Sequence, residues 1–374
     1  MRSRDLLVIS HKPCWRDGDQ LRTTGGFPRH IAALCRLDAD VTLAVPISAA
    51  TPVELTSVLP PDLKFVDLGT LPPSSWRKTS DWLKLWIRLI GCIRTARKVH
   101  VLGPSSVSLL AIIAAWCTHT PLSARYCGVW DRGRSGAERA VIGLLKLHAY
   151  CGGVVFATGV APNSTASKVR WIFSTSLWQD EIDRLAPPNP RVVHEPVRLG
   201  CVQRLVSSKR TDIAIKAVHR LNTSGVHASL VVIGDGPERQ RLELLAQQLG
   251  LPVEFCGQMA REDAVSRLHQ LDVLVFPSES EGFPKAVSEA QACGIPIVAA
   301  DDSGLDAIIE DSGLLVSPTA DSFASALTHL VSDDEPYQLA SKAGVACAQQ
   351  RSLERWAAII GQAIGRPVSN GASR

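Results

Sequence analysis

The sequence predicts an α/β protein built as two parallel-sheet domains, and three observations lead there. Short apolar runs suited to buried parallel strands recur along the chain, and in the second half they alternate with stretches of helix-forming composition. The 374 residues also exceed what one ordinary core accommodates. A hydrophobic content of 45% with 20% charged residues is that of a globular chain and excludes intrinsic disorder.

The first apolar run, Leu6-Leu7-Val8-Ile9-Ser10, is broken by His11-Lys12-Pro13, too soon for a secretory leader, and reads as a first strand. Thr23-Thr24-Gly25-Gly26-Phe27 follows, ahead of a helix over about 28–37. A glycine pair at a helix N-terminus is either a plain flexible turn or a cradle for a phosphate or an acceptor group. The longest apolar run, Val107 to Cys117, falls short of the roughly 20 residues that span a bilayer, so no transmembrane helix is expected.

Charge is uneven along the chain. The net +4 divides into +9 through Val197 and −5 beyond it, and eight of the nine tryptophans lie in the first part. Such a half is suited to something anionic and greasy. Trp76 to Lys98 concentrates the pattern with seven basic residues, one acid, and Trp82, Leu85, Trp86, Leu89 and Ile93 at helical spacing. Two readings stay open: a helix lying in an anionic membrane interface, or a surface helix whose apolar stripe packs on the sheet before the strand near His100.

Ten cysteines without a Cys-x-x-Cys pair read as buried, reduced thiols of a cytosolic protein. Asp17-Gly18-Asp19 and Asp38-Ala39-Asp40 have the Asp-x-Asp spacing that can hold a divalent metal, but neither follows a convincing apolar strand, and no metal is expected.

After the Pro187-Pro188-Asn189-Pro190 break, the segment around Arg191 to Gly200 is the expected hinge. Val202 to Val206 then reads as a strand ending in the loop Ser207-Ser208-Lys209-Arg210, with a helix over about 211–221. Arg204 and Lys209 lie five apart across that loop and can reach one anion, unless they are simply solvated cations. Leu230 to Ile233 is a buried strand followed by the turn Gly234-Asp235-Gly236, and Val253-Glu254-Phe255-Cys256-Gly257 is the next strand and turn.

The most informative stretch runs from Asp272 to Ala300. Two apolar strands enclose a turn and a helix opened by Gly282-Phe283-Pro284-Lys285. The helix N-terminus should face the crevice beyond the strands' carboxyl ends, where free N–H groups favour a diphosphate. Glu281 sits in the turn and Glu289 about one turn into the helix, its side chain leaning back toward the N-terminus. Carboxylates beside a phosphate site suit sugar hydroxyls better than the phosphate itself.

The Glu281–Glu289 spacing, with Gly282, Phe283, Pro284, Ala290, Ala292, Gly294 and Pro296, resembles the signature of the family 4 retaining glycosyltransferases, and the likeness extends more loosely over roughly 195–365. It implies the GT-B fold, two Rossmann-like domains with the active site in the cleft between them. The domains are expected at 1–196 (acceptor side) and 197–352 (nucleotide sugar), with 353–374 as a C-terminal helix returning to the first domain and a frayed tail. By the same resemblance, Arg204 and Lys209 match the family's diphosphate-gripping pair, Glu289 binds the ribose and Glu281 the donor sugar. Gly234, and with less support Phe255 and Cys256, would border the nucleotide, and Gly25 and Gly26 match the glycine loop that closes over the donor. Val192 to Val197 resembles the family's linker strand.

One departure concerns histidine. Ser123 to Trp130 corresponds to a strand end where many family members carry a His, and here there is none; Arg125 or Tyr126 is left to contact sugar or acceptor. A second is Asp306, where a Glu is more usual.

The expected activity is retaining transfer of a sugar from a nucleotide diphosphate sugar, as co-substrate, to a hydroxyl acceptor such as a lipid-linked saccharide. Cell-envelope or exopolysaccharide synthesis at the cytoplasmic face of a membrane is the expected setting, with no nucleic-acid partner. A nucleotide-sugar-binding scaffold without catalysis and a sugar-nucleotide epimerase on the same fold remain alternatives.

Overall fold

The computed structural model describes residues 4–37, 39–48, 56–71, 79–130, 135–159, 168–189, 191–279, 281–301 and 304–366. The chain divides into two compact units, Met1–Ser176 with Leu353–Arg374, and Leu177–Ser352.

In the first unit the strands are β1 (Arg4–Ile9), β2 (Trp15–Asp17), β3 (Gln20–Thr24), β4 (Val41–Val45), β5 (Thr56–Val58), β6 (Lys64–Asp67), β7 (Ala96–Gly103), β8 (Leu122–Val129), β9 (Val154–Gly159) and β10 (Arg170–Trp171). Seven form one parallel sheet in the order β6-β4-β1-β7-β8-β9-β10. This is doubly wound: the order reverses between β1 and β7. Strands β2, β3 and β5 make a small antiparallel sheet. The glycine pair joins this hairpin, rather than the first strand, to α1 (Phe27–Cys35).

Helices α2 (Thr79–Arg94), α3 (Ser106–Cys117) and α4 (Gly136–Tyr150) follow in the first unit. The longest apolar run is α3, and Val107, Ala111, Ile112, Ala114 and Ala115 are buried in the core. Among the described residues no helix is long and apolar enough to cross a membrane. Of the stripe on α2, Leu85, Leu89 and Ile93 are buried, while Trp82 and Trp86 pack half-buried on the same core. That stripe therefore serves the sheet; residues 76–78 lie outside the described residues. The exposed apolar side chains of α2 are Leu83 at 59% and Ile87 at 61%.

The second unit begins earlier than the expected boundary after 196. Its first helix, α5 (Gln179–Leu185), buries Ile182 with Leu177, Ala292 and Ala348, so hydrophobic contact ties the segment before the hinge to this unit. Its strands are β11 (Val197–Val202), β12 (Ala228–Ile233), β13 (Val253–Gly257), β14 (Val273–Phe276), β15 (Ile297–Ala300) and β16 (Gly313–Val316). They form a parallel sheet in the order β13-β12-β11-β14-β15-β16, with the reversal between β11 and β14. Its helices are α6 (Thr211–Thr223), α7 (Arg239–Gln248), α8 (Arg261–Leu268), α9 (Lys285–Ala292), α10 (Asp306–Ile309), α11 (Ala320–Val331) and α12 (Asp334–Gln349). The last helix, α13 (Leu353–Ala363), belongs to the first unit and packs on α1. Residues 367–374 lie outside the described residues.

Two local expectations are corrected. The strand expected over 202–206 lies earlier: β11 pairs with β12 up to Val202 opposite Ile233, and Gln203 to Val206 continue beyond it as loop. Val192 to Pro196 is irregular and only Val197 of the expected linker strand is paired. All ten cysteines are free thiols, but Cys35, Cys117, Cys127 and Cys151 are exposed and Cys256 is half-buried. Burial pushes Cys201 and Cys293 up to about 12, which makes them packing residues.

Candidate functional site

The site is built on the second unit's switch point, where loops from the carboxyl ends of β11 and β14 meet. Beyond β11, the Gln203 N–H donates to Ile233 O at 3.0 Å and the Leu205 N–H to Asp235 O at 2.9 Å. Leu205 is fully buried, so the loop is anchored at its middle while Arg204 projects outward, exposed. A 3-10 turn, Ser207–Lys209, then reaches Arg210, whose φ of 50° is left-handed. Gln203 Nε2 closes the loop by donating to Lys209 O at 2.8 Å and Thr211 Oγ1 at 3.0 Å.

The glycine turn after β12 packs directly on this loop. Gly234 has φ 132°, and a Cβ there would lie 2.0 Å from Gln203 O; at Gly236 it would lie 2.3 Å from Leu205 O. Only glycine allows that approach. Gly234 thus has a packing reason to be glycine, independent of any ligand.

Beyond β14, the Glu279 N–H donates to Ser208 O at 3.1 Å, and Arg210 Nη1 meets Glu279 Oε1 at 3.0 Å, joining the two loops. Lys209 Nζ forms an ion pair with Glu281 Oε1. The buried Ser278 links both: its hydroxyl donates to Glu281 Oε1 at 2.8 Å and accepts from Lys209 Nζ at 3.3 Å. The Lys209 and Glu281 side chains are only 13% and 15% exposed, so the pair is shielded from solvent screening. Arg204 makes no side-chain hydrogen bond or ion pair with another described residue.

Gly282 and Phe283 are half-buried, and Pro284 is the N-cap of α9. Pro284 gives this helix no side-chain cap and no acid lies in its first turn, so the positive end of the helix dipole begins at Lys285. Glu289, 9% exposed, pairs with Arg261 Nε at 3.1 Å. The structure therefore gives the two glutamates different partners: Lys209 and Ser278 hold Glu281, and Arg261 holds Glu289.

At the end of β13 the register against β12 shifts around Cys256. Phe255 packs half-buried on the core, and its carbonyl accepts from Arg239 Nη2 at 3.2 Å. The Cys256 thiol, raised chiefly by burial, borders a depression of about 420 Å³ lined also by Glu254, Met259, Asp263, Ser266 and Arg267.

In the first unit, Gly25 has φ 68° with open space where a Cβ would stand, and Gly26 is the N-cap of α1. His30, not singled out from sequence, holds that turn: its Nδ1 donates to Gly26 O at 3.1 Å, and its Nε2 lies 3.3 Å from Ser174 Oγ. Arg125 and Tyr126 are buried instead of open to a ligand. The Arg125 guanidinium pairs with Ser174 Oγ and stands 5.0 Å over the Trp356 ring, and Tyr126 packs edge-on to Trp130 at 5.3 Å. His100 is also buried, with Nδ1 2.9 Å from Ser123 Oγ. Asp17 pairs with Arg22 at 2.7 Å and Asp40 with Lys64 at 2.8 Å, while Asp38 lies outside the described residues.

The sequence reading missed Ser278, although it lies within the Glu281 motif three residues before the glutamate. It also missed Gln203 and Arg261, of which Arg261 gives no local signal because it stands 28 residues from Glu289.

Residues 186–345 match the profile of the family described as "Glycosyl transferases group 1". The chain is 36% identical over 250 residues to the GDP-mannose-dependent alpha-(1-6)-phosphatidylinositol dimannoside mannosyltransferase of Mycobacterium tuberculosis, covering 58% of this chain and 65% of that protein. It is 33% identical over 146 residues to the putative colanic acid biosynthesis glycosyltransferase WcaL of Escherichia coli, 36% of each chain. The chain thus spans less than two thirds of the length of these curated relatives. Among solved structures, Anabaena HepE in complex with UDP superposes with a TM-score of 0.72 at 16% identity, covering 96% of this chain and 99% of that one. The fold is that of the GT-B glycosyltransferases, and the stretch that matches the glycosyl transferases group 1 profile, residues 186–345, lies within the second unit.

Proposed function

We propose that this protein is a retaining glycosyltransferase that moves a sugar from a nucleotide diphosphate sugar to a hydroxyl acceptor. The observation that carries the reading is the Lys209–Ser278–Glu281 cluster at the switch point, with exposed Arg204 on the same loop as Lys209 and the positive end of the α9 dipole after Glu281. In this reading the bond between the anomeric carbon and the diphosphate oxygen breaks. The acceptor oxygen bonds to that carbon on the same face, and the acceptor proton leaves with the diphosphate. Arg204, Lys209 and the N–H groups near Gly282 to Lys285 stabilise the charge growing on the diphosphate. These cations do the work a metal would otherwise do, so no metal ion is part of the proposal.

Glu281 binds hydroxyls of the donor sugar and supports positive charge at the anomeric carbon, while Glu289 accepts from the ribose. Gly234, Phe255 and Cys256 border the nucleotide, and the Gly25–Gly26 turn is a phosphate- or acceptor-binding element of the first unit. GDP-mannose and UDP-sugars are the first donors to try, because the relatives and neighbours are named for them. The relatives' names, a phosphatidylinositol dimannoside mannosyltransferase and a colanic acid biosynthesis glycosyltransferase, support a lipid-linked or polysaccharide acceptor in cell-envelope synthesis, and the proposed setting is the cytoplasmic face of a membrane. Screening nucleotide sugars for thermal stabilisation tests the donor reading: at a hundredfold excess over Kd a ligand stabilises the folded state by about 2.7 kcal/mol. If none of them, nor UDP or GDP, shifts Tm, the reading fails.

A membrane-surface role for α2 belongs to the same proposal. Leu83 and Ile87 are exposed on a helix that also exposes Lys84, Arg88 and Arg94, the pairing that an anionic interface accommodates.

A further inference from the structure

Three charged side chains from three helices of the second unit meet away from the Lys209–Glu281 pair. Arg261, the first residue of α8, places Nε 3.1 Å from Glu289 Oε1 on α9 and Nη1 3.2 Å from Glu181 Oε1 on α5. Glu181 is itself fixed, because its Oε2 accepts the Trp178 N–H at 2.9 Å. The three side chains are 24%, 11% and 19% exposed, so the guanidinium and both carboxylates are largely withdrawn from water.

Such a cluster is a poor way to join helices, since well-packed apolar side chains usually do as well without the desolvation cost. What a guanidinium adds is direction: its planar fork fixes each carboxylate in one orientation. Glu289 receives that direction one turn into a helix whose N-terminus opens at the switch point, and a carboxylate accepts hydroxyl hydrogen bonds well only when its oxygens are aimed beforehand.

We propose that Arg261, held by Glu181, is a positioning residue that aims the Glu289 carboxylate at the vicinal diol of the donor's ribose. This rests on the assignment of Glu289 to the ribose made above. In consequence Arg261 governs how strongly the protein distinguishes a ribonucleotide from one lacking the diol, and does not contribute to holding the diphosphate.

The test uses the full chain and calorimetric titration with whichever of UDP and GDP binds more tightly, its analogue lacking both ribose hydroxyls, and inorganic pyrophosphate. Wild type should prefer the ribonucleotide to the analogue by about tenfold or more, as expected when a built acceptor loses its hydroxyl partners. Arg261→Met should reduce that preference to about twofold or less while leaving pyrophosphate affinity within about twofold. Arg261→Lys, which keeps the charge and loses the fork, should also reduce it. Glu181→Gln, which leaves Arg261 in place, covers the case in which Arg261→Met fails to fold, and should weaken the preference at least about threefold. Retention of the full preference in Arg261→Lys and Glu181→Gln overturns the role of Arg261 alone. A wild-type protein that binds the ribonucleotide and its diol-less analogue equally overturns the ribose assignment of Glu289, and this proposal with it.

Discussion

Lys209 and Glu281 form an ion pair in which the shared oxygen, Glu281 Oε1, also accepts the hydroxyl of buried Ser278 at 2.8 Å. A base on the loop after β11 is thereby locked to an acid on the loop after β14, the two strands flanking the switch point. Under the proposed function, a diphosphate, with more negative charge than one carboxylate, would be the stronger partner for Lys209, and its arrival would free Glu281 for sugar hydroxyls.

Glu281→Gln should therefore lower turnover by about 10² or more while leaving the fold intact. Lys209→Ala should cost a similar factor and also some stability, because it strands a largely buried carboxylate. The double variant should be less impaired than the product of the single effects, as for any pair acting as a unit. Kinetics of nucleoside diphosphate release with thermal denaturation would check all three; strictly multiplicative losses would deny the coupling.

Ser278→Ala removes the buried hydroxyl that both charges share. The expected loss is about 1–3 kcal/mol of stability, from leaving buried polar groups underbonded, with a smaller fall in turnover than for Glu281→Gln. Denaturant unfolding reads the first and steady-state kinetics the second.

Gly234→Ala places a Cβ against the Gln203 carbonyl on a residue with φ 132°. Because that carbonyl immediately precedes Arg204, the strain should destabilise the fold by about 2 kcal/mol or more and displace the Arg204 loop. Weakened nucleotide binding in a still-folded Gly234→Ala protein is the expected outcome of a binding titration.

Acid should destabilise the protein partly through His100. Burial first, and the nearby Arg125 charge second, bring its ring down to about 3 from the ordinary 6.5. With the folded value depressed, the neutral ring's stabilisation is full above about 6.5 and is lost as pH falls toward about 3. In His100→Leu the pH dependence of the unfolding free energy over that window, read by denaturant titration, should flatten by up to about 1.4 kcal/mol per pH unit, whatever the variant's stability at neutral pH.

Membrane association through α2 should depend on Leu83 and Ile87 instead of Trp82 and Trp86, whose rings pack on the core. Paired Leu83→Ser and Ile87→Ser changes should reduce sedimentation with anionic liposomes, and added salt should do the same. Binding indifferent to both would exclude α2.

What was legible in the sequence were features whose causes are local. Glu281, Glu289 and the glycines between β14 and β15 lie within one strand–turn–helix unit, and the Arg204–Lys209 loop within another. The end of β11 was not legible, because the β-branched and apolar residues Val202, Leu205 and Val206 suggest a continuing strand while pairing stops where β12 stops, at Ile233. The unit boundary depended on Ile182 finding Ala292 and Ala348, contacts more than a hundred residues away. The Arg261 that pairs with Glu289 comes from α8 and the Glu181 that pairs with Arg261 from α5, and no periodicity announces either. The burial of Arg125 likewise depends on Ser174 and on Trp356 of α13, from distant parts of the chain.

The most direct test of the central claim is nucleoside diphosphate release from GDP-mannose and a panel of UDP-sugars, with and without lipid-linked saccharide acceptors, for wild type and Glu281→Gln in parallel. The account predicts release that requires an acceptor and falls about 10² or more in the variant. Nucleotide binding without release under any combination would indicate a scaffold, release or isomerisation without acceptor an epimerase, and either result would contradict it.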